Sequence, residues 1–208
     1  MARPVFGRVR PSEEAASPRV THLDRDRALV DDARRDPAHF DALYRRYLAQ
    51  VYSYAFYELG DHHEAEDATE RTFVAALTNL DRFEERAKPA DGDGASTFRV
   101  WLFRIARNMI ANERREKRNH PAVAIEAAGT VPGTTNVEGG AVARDEAAAA
   151  WRAVAKLPAD RRRAVVLRFV EEMSTAEIAG ILGKSEGAVR VLIHRALKSL
   201  GRELEPKQ

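Results

Sequence analysis

Residues 174–200, STAEIAGILGKSEGAVRVLIHRALKSL, contain the start and stop signals of two helices with a tight turn between them. Ser174 and Glu177 have the spacing of a capping box at the start of the first helix. Gly183 is the residue type that most often follows the end of a helix, and Ser185 can cap the second one. A short helix, a glycine turn and a longer helix predict a helix-turn-helix.

The second of these helices carries a basic ridge. Arg190, His194 and Lys198 follow one another at intervals of four residues, with Arg195 beside them. In a helix-turn-helix such a ridge faces the major groove, where arginine binds guanine edges or phosphates. A lone histidine on a helix is more often a neutral surface residue, so both interpretations of His194 stay open. The side chains expected to face inward are Ala188, Val189, Leu192, Ala196 and Leu200.

The segments upstream of this motif differ in helical character. Residues 144–157 predict an alanine-rich helix that Pro158 ends, and Asp160 is the predicted cap of the helix that follows. Residues 119–143 are rich in Gly, Pro, Thr and Ala and have no helical period. This composition predicts a flexible linker between two domains.

A second basic helix is predicted over residues 97–118, TFRVWLFRIARNMIANERREKR, with Thr97 as its N-cap. Its apolar stripe consists of Phe98, Trp101, Leu102, Ile105, Ala106 and Met109. One sector of the helix holds Arg104, Arg107, Arg114, Arg115 and Arg118. Asn108 lies between this sector and the stripe, so guanidinium groups, an amide and an indole ring share a surface that suits single-stranded or melting DNA. The competing interpretation is a solvated basic face with Trp101 in the core.

The second of the two helices predicted near the start of the chain is acidic rather than basic. A helix following Pro37 is predicted to end near Gly60, and the next begins at Asp61. Its inward positions are predicted to be Ala65, Ala68, Phe73, Ala76, Leu77 and Leu80. Its first ten residues include the acids Asp61, Glu64, Glu66, Asp67 and Glu70, with His62 and His63 among them.

Three interpretations of this acidic segment compete. Acids in a first turn stabilise the helix dipole. His63 and Asp67 have the spacing to bind a divalent cation, although the fuller histidine motif of metal-binding helices is missing. An acidic face also fits a docking surface for a basic protein, because carboxylates repel the phosphates of DNA.

Composition limits the class of protein. The 208 residues include 34 Lys and Arg, 32 Asp and Glu, and no Cys, which excludes a disulfide framework and thiol chemistry. Residues 1–23 contain three prolines and few large apolar side chains, so we expect a disordered tail rather than a signal peptide. No stretch approaches the length of a membrane span, and we expect a cytoplasmic protein. The predicted fold is all-α, with two small helical domains over residues 24–118 and 144–208 joined by the flexible linker.

Three stretches in this order resemble a known family. FDALYRRYLAQVYSYAFYELGDHHEAEDATERTF, FRVWLFRIARNMIANERR and LPADRRRAVVLRFVEEMSTAEIAGILGKSEGAVRVLIHRALKSL are similar to bacterial RNA polymerase sigma factors of the extracytoplasmic-function group, group IV. The resemblance implies a protein without cofactor or catalytic residues. Such a protein binds core RNA polymerase, directs it to specific promoters and promotes DNA opening. It also implies that residues 24–118 are sigma region two and residues 144–208 are sigma region four.

The resemblance further assigns roles to individual residues. It places the acids Asp61, Glu66, Asp67 and Glu70 against the clamp coiled coil of the largest polymerase subunit, with the flap region as a further contact. It places Trp101, Arg104, Asn108, Asn112 and Arg115 on the minus-ten element, with Asn108 near the flipped base. It places Arg190, His194, Arg195 and Lys198 on the minus-thirty-five element. Many members have serine and arginine where this chain has Val191 and Leu192. An anti-sigma protein is a candidate further partner.

Two rival functions remain. A stand-alone helix-turn-helix regulator would use only the C-terminal domain and would bind its DNA without polymerase. A helical hydrolase would use His62, His63 and the neighbouring carboxylates to hold a catalytic metal, and a chelator would abolish its activity.

Overall fold

The computed structural model describes residues 22–85, 97–119 and 149–204, which form helices and turns without any strand. The first half consists of α1 (His22–Arg35), α2 (Phe40–Leu59), α3 (His62–Thr78) and α4 (Thr97–Asn119), with short 3₁₀ turns at Pro37–His39 and Leu80–Arg82. The second half consists of α5 (helical residues 149–155), α6 (Ala159–Phe169), α7 (Thr175–Leu182) and α8 (Glu186–Leu204). The all-α prediction is confirmed. α1 begins two residues before the predicted domain start at 24, whereas residues 1–21 and 120–148 lie outside the described residues.

Local capping signals position most helix ends as predicted. Gly60 follows α2 in the left-handed conformation at φ 77°, and the Asp61 carboxylate accepts the Glu64 amide at 3.0 Å to start α3. The capping box of Ser174 and Glu177 starts α7. Gly183 ends α7 at φ 67°, and the Ser185 hydroxyl accepts the Ala188 amide at 3.2 Å to start α8. These short-range hydrogen bonds explain why the helix-turn-helix is evident from sequence.

Two predicted caps are wrong. Thr97 is the first helical residue of α4 rather than the residue before it, and its hydroxyl donates to the Glu85 carboxylate. Pro158 precedes α6, and Asp160 lies inside the first turn, where it pairs with Lys184 at 3.0 Å. Both side chains thus contact a partner from another segment of the chain.

The core of the first half lies between α2, α3 and α4. Its large, fully buried side chains are Leu43, Val51, Tyr54, Phe98, Leu102, Phe103 and Ile110. Phe103 and Ile110 were not part of the predicted stripe of α4. They are buried because α4 is covered on more than one side, by α2 and α3 and also by α7. Each such apolar side chain contributes about 1.5–3 kcal/mol on burial.

Two predicted inward positions are exposed. Leu77 was predicted to face the core, but its side chain is 41% exposed on the outer face of α3. Ala188 is exposed on α8, whereas Val189 and Ala196 of the same predicted set are buried. A 3.6-residue period therefore identified the buried faces of α3 and α8 but not their edges.

The two halves of the chain share one apolar core. Buried residues of α6, α7 and α8 belong to the same cluster as those of α1 to α4, and the Tyr57 and Trp151 rings lie 4.2 Å apart between α2 and α5. At the contact of α4 with α7, a Cβ added to Gly180 would lie 2.9 Å from a Val100 methyl group. We call this packing of α4 against α7, and of α2 against α6, the closed arrangement.

Candidate binding surfaces

The predicted DNA-binding residues of α4 divide into exposed and packed groups. Arg104, Asn108, Asn112 and Arg115 are exposed. Trp101 is half-buried, with its ring centroid 5.3 Å from that of Phe83 and 5.6 Å from that of Phe98. The indole therefore packs at the edge of the core and keeps only part of its surface in solvent.

Two arginines of the α4 basic sector bind the C-terminal end of α7. Arg104 donates to the Gly180 carbonyl at 2.8 Å, and Arg107 donates to the Ile181 carbonyl at 2.5 Å. Carbonyls in the last turn of a helix have no partner within the helix and carry the negative end of its dipole. The guanidinium groups donate hydrogen bonds to these carbonyls and bring positive charge to the end of the dipole. In the closed arrangement Arg104 and Arg107 therefore contact protein.

A buried carboxylate that the sequence analysis missed joins the two halves. The Glu58 side chain is fully buried at the end of α2, and Arg114 of α4 pairs with it at 2.8 Å. Arg162 and Arg163 of α6 reach the same carboxylate at 3.4 and 3.3 Å. Burial lowers the pKa of Arg114, an effect that Glu58 opposes. The sequence contained one signal for this site: Glu58 is a charged residue within the largely apolar run YSYAFYEL.

A second missed carboxylate, Glu171, is buried between α6 and α7. Burial raises its pKa to about 7, while Ser53 of α2 and Arg99 of α4 act in the opposite direction. Arg99 also donates to the Glu171 carbonyl and pairs with the Glu177 carboxylate at 3.6 Å. Because Glu171 meets α2 and α4 across the contact between the halves, its ionisation is coupled to the closed arrangement.

The acidic residues of α3 have two kinds of environment. Asp61 caps the helix, so its carboxylate is engaged by the backbone, while Glu66, Asp67 and Glu70 are exposed. Asp67 and Glu70 line an open groove together with Arg71, Val74, Ala75, Thr78, Asn79 and Met109. Val74 is 58% exposed beside these acids. The surface therefore combines negative charge with accessible apolar area, as a protein-docking site does.

The histidines of α3 have protein partners rather than a metal-binding arrangement. The Nδ1 atom of His62 lies 2.6 Å from the Tyr52 hydroxyl, and that of His63 lies 3.8 Å from the Glu66 carboxylate. Among the described residues, no group of three His, Asp or Glu side chains is arranged to hold a metal ion. Within the same ranges, no helix combines the length and apolar character needed to cross a bilayer.

The basic ridge of α8 faces away from the rest of the chain. Arg190, His194, Arg195 and Lys198 are all exposed, while Val189 and Ala196 hold the other side of the helix against its neighbours. Arg190 also pairs with Glu186 at 2.9 Å, one turn earlier on the helix. The ridge thus has the exposure and charge that contact with a DNA groove requires.

Comparison with known proteins gives two family matches and several relatives. Residues 43–120 match the family "Sigma-70 region 2", and residues 147–200 match "Sigma-70, region 4". The chain is 32% identical to the ECF RNA polymerase sigma factor BldN of Streptomyces coelicolor, over 94% of this chain and 69% of that protein. It is 34% identical to the ECF RNA polymerase sigma factor SigL of Mycobacterium tuberculosis, over 81% of this chain and 90% of that protein.

Two solved structures are similar in fold. CnrH, in complex with the cytosolic domain of CnrY, has a TM-score of 0.63 and is 28% identical to this chain. The match covers 89% of this chain and 100% of that chain. RpoE of Bartonella quintana, in complex with the anti-sigma factor NepR, has a TM-score of 0.62 and 22% identity, covering 81% of this chain and 98% of that chain.

Proposed function

Because the chain belongs to the extracytoplasmic-function (ECF) sigma factors of RNA polymerase, we propose that three of its helix faces divide the binding tasks. As a sigma factor it is not an enzyme; it binds RNA polymerase and promoter DNA and directs the polymerase to promoters. The proposal is carried by the separation of charge in the structure. The exposed acids assigned to polymerase lie on α3, and the exposed cations and amides assigned to DNA lie on α4 and α8.

The outer face of α3 is the proposed polymerase-docking surface. Glu66, Asp67 and Glu70 would meet basic residues of the clamp coiled coil, while Val74 and Leu77 supply exposed apolar area beside them. Asp61 contributes less directly, since its carboxylate already accepts a backbone amide. Exposed opposite charges mainly accelerate and orient the encounter, and apolar contacts then slow dissociation.

The exposed side of α4 is the proposed minus-ten surface. Asn108 and Asn112 can bind base edges, Arg115 can bind phosphate, and the open part of Trp101 can contact an unstacked base. Arg104 joins this surface only after it leaves the Gly180 carbonyl. We therefore propose that the end of α7 separates from α4 when Arg104 binds DNA.

The ridge of α8 is the proposed minus-thirty-five surface. Arg195 and Lys198 lie in the second half of the helix and suit phosphates, whereas Arg190 lies nearer its start, where side chains meet base edges. His194 lies between them. This division predicts that the four residues contribute unequally to sequence preference.

Three finer assignments belong to the same proposal. We place the chain in group IV, because the relatives' names place them in the ECF group. We place its activity in a bacterial cytoplasm, where RNA polymerase works. We also propose regulation by an anti-sigma protein, since the similar structure CnrH is bound to the domain of another protein. A protein that held α4 against α7 would keep Arg104 and Arg107 from DNA.

Transcription from a genomic promoter library, with core polymerase and with or without this protein, tests the proposed function. We expect new start sites that share sequence elements near minus ten and minus thirty-five. The absence of new start sites would contradict the assignment. Footprinting without core polymerase separates the rival regulator, which would protect its operator alone. A hydrolytic activity of the purified protein without polymerase, abolished by a chelator, would support the rival hydrolase.

A further inference from the structure

The solvent face of α8 has an apolar residue at its centre. Successive helix residues are about 100° apart, so Lys198, Arg195 and His194 lie within about 20°, 40° and 60° of Val191 around the axis. All three are exposed, and the Val191 side chain is 46% exposed among them. Valine has a lower helix propensity than arginine, lysine, glutamine or glutamate, so neither helix propensity nor core packing explains a valine at this exposed position.

The start of this face is small and open. Gly187 and Ala188 precede Val191 on the same side and are exposed, and a Cβ added to Gly187 would meet only the Ser185 hydroxyl, at 4.0 Å. Arg190 is drawn aside by its pair with Glu186 at 2.9 Å. Because the first turns of a recognition helix enter the groove, Val191 is the first sizeable side chain that base edges would meet on this face.

We infer that Val191 selects promoters by packing against the 5-methyl group of a thymine in the minus-thirty-five element. A valine side chain has no hydrogen-bonding group, so the methyl group is the feature of the major groove that it can distinguish. Arg195 and Lys198 then hold the flanking phosphates and position the contact. The inference rests on the proposed binding of α8 to this element and adds its base preference.

An exposed apolar side chain without a binding role is the alternative, and the same helix offers a matched control. Leu197 is 47% exposed, nearly the same as Val191, but lies about 120° away around the helix axis. Both residues can be replaced by alanine with a gain in helix propensity, so neither variant is expected to unfold α8.

The experiment uses holoenzyme made from core polymerase and the full chain, bound to the strongest promoter from the start-site mapping. Each thymine of the minus-thirty-five element, on either strand, is replaced singly by deoxyuridine, which removes only the methyl group. For the wild type we expect one position at which the affinity falls about fourfold, the factor that burial of one such group gives. Val191→Ala should bind thymine and deoxyuridine DNA equally, and Leu197→Ala should discriminate as the wild type does.

Two results would overturn the inference. One is a wild-type affinity unchanged by deoxyuridine at every position, or an element without any A·T pair. The other is discrimination that survives in Val191→Ala. A failure of the underlying proposal gives a different result: the double variant Arg195→Ala, Lys198→Ala and a scrambled minus-thirty-five element would both leave holoenzyme affinity unchanged.

Discussion

Buried carboxylates add polar contacts to the apolar core that joins the two halves of this sigma factor. Glu58 accepts Arg114 from its own half and Arg162 and Arg163 from the other, so three guanidinium groups share one carboxylate. Burying charges is costly unless each has partners, and removing one partner leaves the others uncompensated. Glu58 therefore favours one relative position of α2, α4 and α6, the one in which all three arginines reach its carboxylate.

Glu171 makes this contact dependent on pH. Its pKa is about 7 in the closed arrangement, against an ordinary value of 4.5, with Ser53, Tyr57 and Arg99 as the polar groups around it. Because the folded pKa is raised, the neutral carboxyl stabilises the structure fully below pH 4.5. The stabilisation declines as pH rises to about 7 and is absent above it.

We predict that Glu171→Gln removes this pH dependence. Between pH 4.5 and 8 the wild type should lose up to about 3 kcal/mol more unfolding free energy than the variant, as measured by urea titration. Glu172→Gln, at the exposed neighbouring position, is the control and should behave like the wild type. Parallel pH profiles for wild type and Glu171→Gln would show that the carboxyl does not titrate in this range.

Asn108 tests the assignment of α4 to melted DNA. Its amide is exposed on the proposed minus-ten surface, whose proposed role differs from that of the acidic face of α3. We predict that Asn108→Ala slows or weakens promoter opening about tenfold, the effect of losing one bidentate amide–base contact. Permanganate reactivity of unpaired thymines measures opening, and fluorescence anisotropy measures core binding. An equal loss of both would contradict the role proposed for Asn108.

Whole helices combine structural and binding roles on opposite faces. In α3, Asp61 starts the helix and Ala65, Ala68, Phe73 and Ala76 bury one side, while Glu66, Asp67 and Glu70 are exposed. Acids near a helix start also stabilise its dipole. The structural and docking interpretations of this segment are therefore compatible, because they use different residues of the same helix.

Charge reversal on α3 should weaken polymerase binding. We predict that Glu66→Lys with Asp67→Lys lowers core affinity at least about tenfold at low salt, and less at high salt, because exposed charges are screened. Asp32→Lys with Asp41→Lys, at exposed acids of α1 and α2, changes the net charge equally and should retain affinity. Equal loss in both double variants would mean that net charge, rather than the α3 face, governs binding.

In the closed arrangement the two proposed DNA-binding surfaces differ in their contacts with the rest of the described chain. The end of α7 occupies Arg104 and Arg107, while the ridge of α8 stays exposed. The proposed minus-thirty-five surface is thus exposed in the closed arrangement, whereas two arginines beside the proposed minus-ten surface are bound to α7. Gly180 permits the closure, because any larger residue there would meet Val100.

We predict that Gly180→Ala opens the molecule and that adding Val100→Ala restores closure. The new methyl group would lie 2.9 Å from a Val100 carbon, and such overpacking typically costs about 1–3 kcal/mol. The chain has no cysteine, so dyes on cysteines introduced at Ala42 and Arg202 report the separation by energy transfer. Lower transfer in Gly180→Ala and recovery in the double variant are expected. Unchanged transfer in Gly180→Ala would show that the contact does not control closure.

Local patterns in the sequence were sufficient to predict the helices that follow Pro37, most of their ends and the exposed ridge of α8. These patterns are the Ser174–Glu177 capping box, the glycine after α2 and the apolar periods of the helices. Each depends on residues a few positions apart, so it does not depend on how the helices pack together. The same patterns could not predict the partners of Glu58, since Arg162 lies 104 residues away along the chain. They also could not show that Arg104 and Arg107 bind α7. Which charges meet solvent and which meet protein depends on how the halves pack, because burial is a property of the assembled core and not of any one helix.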